Sequence, residues 1–312
     1  MTDRRLGKLM EILQKKEEFS NLSSWKIEKF KVGNTSPIKL KLSLKSTRYF
    51  FKLIKDNEKQ ILLILSSMNS ELIPEVKYPD LLDENILLCQ FIDGGTLKNR
   101  NLDPELIKKF AQMQNLLNDD IYIKRSKFLN GYTRRKRDDG MFRNYVLESI
   151  PIGYNNLLKL RRLKLDIIED FLVIYDVLKE NSDLIANEYS KMPFARQHHD
   201  FREESITISP QKLVDWGSSY GHGPFLFDLA PFLWKNPKSL NIFMDSSLIC
   251  QNSNEEHIKR WLFIATCFRF ILMWRYFMLI IRKGFKFKQR LEEFFLYNYE
   301  TYKNLIEQQY WI

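Results

Sequence analysis

Cysteine and glycine are scarce in this chain of 312 residues, which has three of the first and 11 of the second. Cys89, Cys250 and Cys267 lie far apart, which excludes a disulfide framework and a cysteine metal cluster and points to a reducing compartment, the cytoplasm. The chain has no start built as a charged segment followed by an apolar secretory signal, which fits the same compartment. Internal repeats and low-complexity segments are absent as well. One run, residues 261–281, has the length of a bilayer span. Arg269 and Arg275 interrupt it, and each would cost about 2.5–3.5 kcal/mol near a membrane centre, so a buried helix is the expectation.

Hydrophobic residues make up 44% of the chain, enough for a sizeable core, and its length exceeds that of the usual single domain. Disorder is therefore excluded for most of it, and two lobes are expected. The net charge is +10, part of it concentrated in Lys124-Arg125-Ser126-Lys127 and Arg134-Arg135-Lys136-Arg137. Such clusters attract phosphate, nucleic acid or acidic lipid, and equally form an ordinary solvated face.

The segment with the most chemistry is Gln197-His198-His199-Asp200-Phe201-Arg202-Glu203-Glu204-Ser205, followed by Leu213-Val214-Asp215-Trp216 and Phe227-Asp228-Leu229-Ala230. It sets one aspartate in a His-x-Asp loop and a second fifteen residues later, at the end of a short apolar strand. Phosphoryl transfer needs a carboxylate beside the attacking hydroxyl and a metal ligand on rigid backbone. Asp200 and Asp215 supply that pair. His198 is expected to orient the loop by hydrogen bonding.

In these residues the chain resembles the aminoglycoside phosphotransferase and choline kinase group of protein-kinase-like enzymes. That group carries His-Gly-Asp-x-x-x-x-Asn, then Ile-Asp-Trp or similar, then Asp-Leu-Ala. Here His199 stands for the glycine and Ser205 for the asparagine. The resemblance implies an α+β, bilobal protein-kinase-like fold. Its N-terminal lobe, residues 1–92, would be a small, mostly antiparallel β-sheet, and its C-terminal lobe, residues 93–312, would be larger and mainly helical. It also implies Asp200 as the catalytic carboxylate, Asp215 and Ser205 as ligands of Mg2+, and Asp228 as a brace for the catalytic loop.

The N-terminal half fits the same pattern. Ile38-Lys39-Leu40-Lys41-Leu42-Ser43-Leu44 alternates apolar and polar residues, and Tyr49-Phe50-Phe51-Lys52-Leu53-Ile54 reads as a second strand. Lys52 falls where these kinases keep the lysine that touches nucleotide phosphates, and Glu58, in the following helix, is its ion-pair partner. Gln90, Phe91 and Ile92 lie in a hinge whose backbone would hold the adenine. The phosphate loop falls on residues 31–37, with the single glycine Gly33.

Further on, Asp103-Pro104-Glu105 starts a helix that carries Leu106, Ile107, Phe110, Met113 and Leu117 at helical spacing, and Ile167, Ile168, Phe171, Ile174, Tyr175 and Leu178 mark a longer one. The expected activity is transfer of the terminal phosphoryl group of ATP or GTP to a hydroxyl of a small molecule. The basic balance favours a neutral or anionic acceptor over a polycation. Other readings stay open: a catalytically degenerate nucleotide-binding or interaction module, a kinase acting on a protein or glycan hydroxyl, and, disfavoured, a binder of nucleic acid or a membrane surface.

Overall fold

The computed structural model describes residues 2–29, 38–68, 71–97, 101–117, 139–216, 222–282, 295–296 and 298–305. The chain divides into two compact units, and the division does not follow chain order. The first comprises Met1–Asn99 together with Asp200–Tyr220, and the second Arg100–His199 together with Gly221–Ile312.

The first unit is built on a four-stranded antiparallel sheet, in chain order β1 (Lys26–Lys29), β2 (Lys39–Leu44), β3 (Thr47–Leu53) and β4 (Ile86–Gln90). Alternation in β2 dictates its faces: Leu40 and Leu42 are buried opposite Phe51 and Tyr49 of β3, while the intervening lysines are only partly covered. Helix α1 (Thr2–Gln14) brings Leu9 and Leu13 to the same core, joined by Phe19, Leu22, Trp25, Phe51 and Leu88. Phe19 and Trp25 approach to 4.7 Å between ring centroids, and Trp25 stacks on Tyr49 at 5.8 Å. Burial pushes the Tyr49 hydroxyl up in pKa, aided by Glu18, to which it donates at 2.7 Å. Helix α2 (Asp56–Ser67) begins three residues after β3.

The segment 200–220 belongs to this unit because backbone hydrogen bonds stitch it there. Leu97 N–H donates to Ile206 C=O at 2.8 Å, Ile208 N–H to Gly95 C=O at 3.2 Å, and Leu213 N–H to Leu72 C=O at 2.8 Å. Val214 N–H donates to Ser205 C=O at 2.9 Å, so the two ends of the segment are tied together.

The second unit is mainly helical: α3 (Pro104–Leu117), α4 (Asp139–Leu160), α5 (Asp166–Glu180), α6 (Ser182–Lys191), α7 (Pro237–Ser246) and α8 (Glu255–Arg282). Helices α3 and α5 fall where the apolar spacing predicts. A two-stranded ribbon, β5 (Phe194–Arg196) with β6 (His222–Pro224), lies beside α3, whose Gln114 side chain donates to the carbonyls of Arg196 at 3.1 Å and Phe225 at 3.0 Å. Helix α8 contains the long apolar run, and its Phe263, Phe270, Ile271 and Trp274 are fully buried. Phe171 of α5 packs edge-on against Trp274 at 5.0 Å. Among the described residues, no helix is long and apolar enough to cross a membrane. All three cysteines are buried and none forms a disulfide; burial pushes the Cys89 thiol up to about 12 and the Cys250 thiol up to about 11.

Gly153 marks the tightest approach in this unit. A Cβ placed there would lie 2.0 Å from the Tyr175 hydroxyl and 3.2 Å from the Ile271 carbonyl, so α4, α5 and α8 meet at a point with no room for a methyl group. The Tyr175 hydroxyl has no hydrogen-bond partner among the described residues. Gly153→Ala is therefore expected to destabilise by about 1–3 kcal/mol through overpacking. Tyr175→Phe alone should be close to neutral, since it removes a buried group that makes no bond. The double variant should recover most of the loss. A thermodynamic cycle over the four proteins by urea unfolding would show this coupling, and strictly additive losses would contradict the close approach.

Candidate active site

The centre of the site is the Lys52 ammonium. Residue 52 lies inside β3, paired across the sheet with Lys39 and Leu87, and the alternation that buries Phe51 on one face sends Lys52 to the other. Its Nζ lies 2.7 Å from Glu58 Oε1 and 2.7 Å from Asp215 Oδ1. Lys52 and Glu58 are 4% and 2% exposed, whereas the Asp215 side chain is 40% exposed, so one carboxylate of the three-membered cluster faces solvent. Burial pulls the Lys52 pKa down, but Glu58 and Asp215 outweigh it and the net direction is up, keeping the ammonium charged. For Glu58 burial is the largest influence and pushes its carboxyl up, against the pull of Lys52.

Local backbone explains how these groups converge. Glu58 occupies the first turn of α2, where a carboxylate also meets the positive end of the helix. Asp215 has φ of 64°, in the left-handed region that non-glycine residues rarely enter. The bonds from Leu213 N–H to Leu72 C=O and from Val214 N–H to Ser205 C=O hold the chain on the approach to that turn.

Asp200 occupies the turn that follows β5. The Arg202 guanidinium grips it in a bidentate pair, Nε to Oδ1 at 2.8 Å and a terminal nitrogen to Oδ2 at 3.0 Å. The Ser205 hydroxyl donates to the Asp200 carbonyl, and Ser205 itself is buried. The resemblance makes Ser205 a metal ligand; here its hydrogen closes the loop, while its oxygen keeps lone pairs.

In the second unit, Asp228 is fully buried and accepts the backbone N–H groups of both His198 and His199, the latter at 3.0 Å. Asp228 thus ties down the backbone of residues 198 and 199. His198 is itself fully buried. His199 has φ of 66°, which gives a physical reason for the glycine that the family motif carries at this position.

Of the hinge residues, Gln90 N–H donates to Glu75 C=O at 2.9 Å and Phe91 N–H to Arg48 C=O at 3.1 Å, so both donors are engaged within the first unit. Ile92 N–H has no such partner among the described residues. Residues 31–37, read as the phosphate loop, and the basic clusters at 124–137 lie outside the described residues.

The structure thus brings Lys52, Glu58 and Asp215 together, ties Ser205 to Asp200, and seats His198 and His199 on Asp228. Sequence reasoning missed Arg202. Its signal was a basic residue two positions after the candidate catalytic carboxylate, within reach of it only once the loop turns. A metal fits the donor set in a limited way. No group of three or more His, Cys, Asp or Glu suited to a metal occurs among the described residues, and the Asp215 side chain is 40% exposed. Mg2+ is commonly held by one or two carboxylates with phosphates and waters completing the sphere, so one carboxylate plus a nucleotide suffices.

No protein-family model matches the sequence, and no curated protein does. Solved structures do match. A spectinomycin phosphotransferase, determined with ADP and spectinomycin, is 13% identical over 96% of this chain and 96% of its own, with a TM-score of 0.50. A choline/ethanolamine kinase family protein from Mesorhizobium loti is 13% identical over 98% and 96% of the two chains, with a TM-score of 0.49. An ethanolamine kinase from Plasmodium vivax is 16% identical over 92% and 82%, with a TM-score of 0.47. The four-stranded antiparallel sheet, the helical second unit and the first of these likenesses show an α+β, protein-kinase-like fold.

Proposed function

We propose that this chain is a magnesium-dependent phosphotransferase that moves the terminal phosphoryl group of ATP or GTP to a hydroxyl of a small molecule. The observation that carries the reading is the buried Lys52 ammonium held at 2.7 Å by both Glu58 and Asp215. An ion cluster of this kind is costly to bury, and a lysine fixed beside a half-exposed carboxylate is the arrangement that phosphate and metal recognition requires. The matched spectinomycin phosphotransferase, solved with ADP, supports a nucleotide co-substrate.

In this mechanism Lys52 contacts the nucleotide phosphates and Glu58 keeps the ammonium in place. Asp215 would be the carboxylate ligand of a magnesium ion, with the Ser205 oxygen as the second candidate, and the metal would offset charge on the phosphates. Ile92 N–H is the hinge donor left for the adenine, and the Gln90 and Phe91 N–H groups shape the hinge instead. The acceptor hydroxyl oxygen bonds to the terminal phosphorus as the bond from that phosphorus to its bridging oxygen breaks. The nucleoside diphosphate leaves, and the hydroxyl proton passes to Asp200. Before transfer, Arg202 holds the Asp200 carboxylate oriented through its bidentate grip. His198, with Asp228 on its backbone N–H, sets the loop from which Asp200 projects.

A second reading, a kinase-like protein that binds nucleotide without transferring phosphate, is favoured by the Arg202 clamp on both oxygens of Asp200 and by serine at position 205. Transfer to a protein or glycan hydroxyl remains the alternative within the enzyme class.

Asp200→Ala is expected to lower phosphoryl transfer by about 10²–10⁴ while nucleotide affinity stays the same, as for loss of a positioned base. Product formation and calorimetric titration of magnesium-ATP on the same preparation would check this, and full activity in the variant would remove Asp200 from the site. Asp215→Ala should weaken nucleotide binding only when magnesium is present. Calorimetry with and without the metal reads that difference, and unchanged magnesium-nucleotide affinity would contradict the assignment.

A further inference from the structure

Lys39, which the catalytic assignments leave aside, stands beside Lys52 on the sheet of the first unit. The two residues are directly opposed in the antiparallel pairing of β2 with β3. Opposed residues send their side chains to the same face, with Cβ atoms about 4.5–5.5 Å apart. The next pair along, Leu40 with Phe51, is buried on the other face of the sheet, so Lys39 shares the face on which Lys52 meets Glu58 and Asp215. All six of these residues belong to one compact unit.

Three lysines occupy this face, and their surroundings differ. Lys52 is buried and lies 2.7 Å from each of two carboxylates. Lys41, opposite Phe50, lies over the Phe91 ring at 4.4 Å from its centroid and 4.0 Å from Glu28. Lys39 is half-buried, and its ammonium makes no hydrogen bond or ion pair with any described residue. Its charge is felt in the site nonetheless: the Glu58 carboxyl, which burial pushes up in pKa, is drawn back down by Lys52 and also by Lys39.

Like charges directly opposed on a sheet destabilise the pair, and an apolar or acidic residue at position 39 would remove the repulsion. A lysine kept there, repelled by its neighbour and held by no carboxylate, is explained by an anionic ligand that meets both ammonium groups. The nucleotide phosphates are that ligand. Lys52 is shared between two carboxylates, so it and one metal ion leave phosphate charge that a further cation can offset.

We infer that Lys39 is a second phosphate-binding lysine, which contacts the nucleotide phosphates from β2 beside Lys52 on β3. The inference rests on the phosphotransferase reading and adds a residue to its nucleotide site. Lysine suits the position: it carries a compact charge on a flexible stem, and the stem can lie along the sheet while the ammonium reaches outward.

The test is calorimetric titration of the full chain, with magnesium, by a non-hydrolysable ATP analogue and by adenosine. Lys39→Met keeps an unbranched side chain and removes the charge. It should weaken the analogue by about tenfold or more, the worth of one charge-assisted contact, and leave adenosine affinity unchanged. Lys39→Arg should recover most of the loss. Unchanged affinity for the analogue in Lys39→Met, an equal loss for adenosine, or no recovery in Lys39→Arg would each overturn the inference, since a structural lysine has no reason to discriminate by phosphate. Should the variants fail to fold, acetylation of the wild-type protein by an amine-selective ester, read peptide by peptide by mass spectrometry, decides the matter. The magnesium complex of the analogue should slow acetylation of Lys39 about tenfold or more and adenosine should not; an equal rate with and without the analogue would contradict the contact. Failure of the wild type to bind the analogue sinks the phosphotransferase reading and the inference with it, whereas binding that ignores position 39 sinks the inference alone.

Discussion

One buried cation organises the first unit. Lys52 lies inside a strand and is 4% exposed, and removing an ammonium from water costs more than any single contact in the sheet returns unless it is paired. Two carboxylates from different parts of the chain meet it: Glu58, six residues on, and Asp215, far along the sequence. Replacing such a cluster with well-packed apolar residues commonly leaves stability unchanged or improves it. Its presence is therefore accounted for by chemistry more readily than by stability. The stitching of Ile206, Ile208 and Leu213 to Leu97, Gly95 and Leu72 follows from the same need, because Asp215 reaches Lys52 only if its segment is hydrogen-bonded to the first unit.

Backbone strain falls within two of the segments that the sequence singles out. His199 and Asp215 both adopt positive φ, as do a few residues at turns elsewhere. A left-handed residue other than glycine costs about 1–2 kcal/mol, so each of the two requires surroundings that over-determine its conformation. Those surroundings are identifiable. Asp228, fully buried, binds the N–H groups on either side of the bond leading into His199, and the bonds at Leu213 and Val214 lock the approach to Asp215. The scarcity of glycine in the chain thus has a local counterpart: the turn is forced by hydrogen bonds, not permitted by a missing Cβ.

Legibility in the sequence follows the range of the forces. Alternation in residues 38–44 was readable because a half-buried strand imposes period two on its own residues, and α3 and α5 were readable because a helix imposes its own spacing. Lys52 and Glu58 were readable as a pair because they are close in sequence and the strand-to-helix turn between them is short. Arg202 was not, since its grip on Asp200 exists only in the folded loop. The engagement of Gln90 and Phe91 N–H by Glu75 and Arg48 was also hidden, because it depends on partners that no local pattern announces. For the same reason the residues from 200 to 220 could not be assigned to the first unit from chain order.

Helix α8 shows how one segment satisfies two demands that conflict at the level of composition. Its Phe263, Phe270, Ile271 and Trp274 are fully buried, and the aromatic packing among Phe171, Phe270 and Trp274 anchors it. A helix buried on so many sides has little room for charge, and each arginine needs a compensating surface. Phe227, Tyr145 and Tyr276 provide it by offering ring faces, which attract a guanidinium without neutralising it. Around Arg275 the Ser149 hydroxyl accepts an N–H as well, so ring faces and one hydroxyl together let a charged residue stay within an aromatic helix pack.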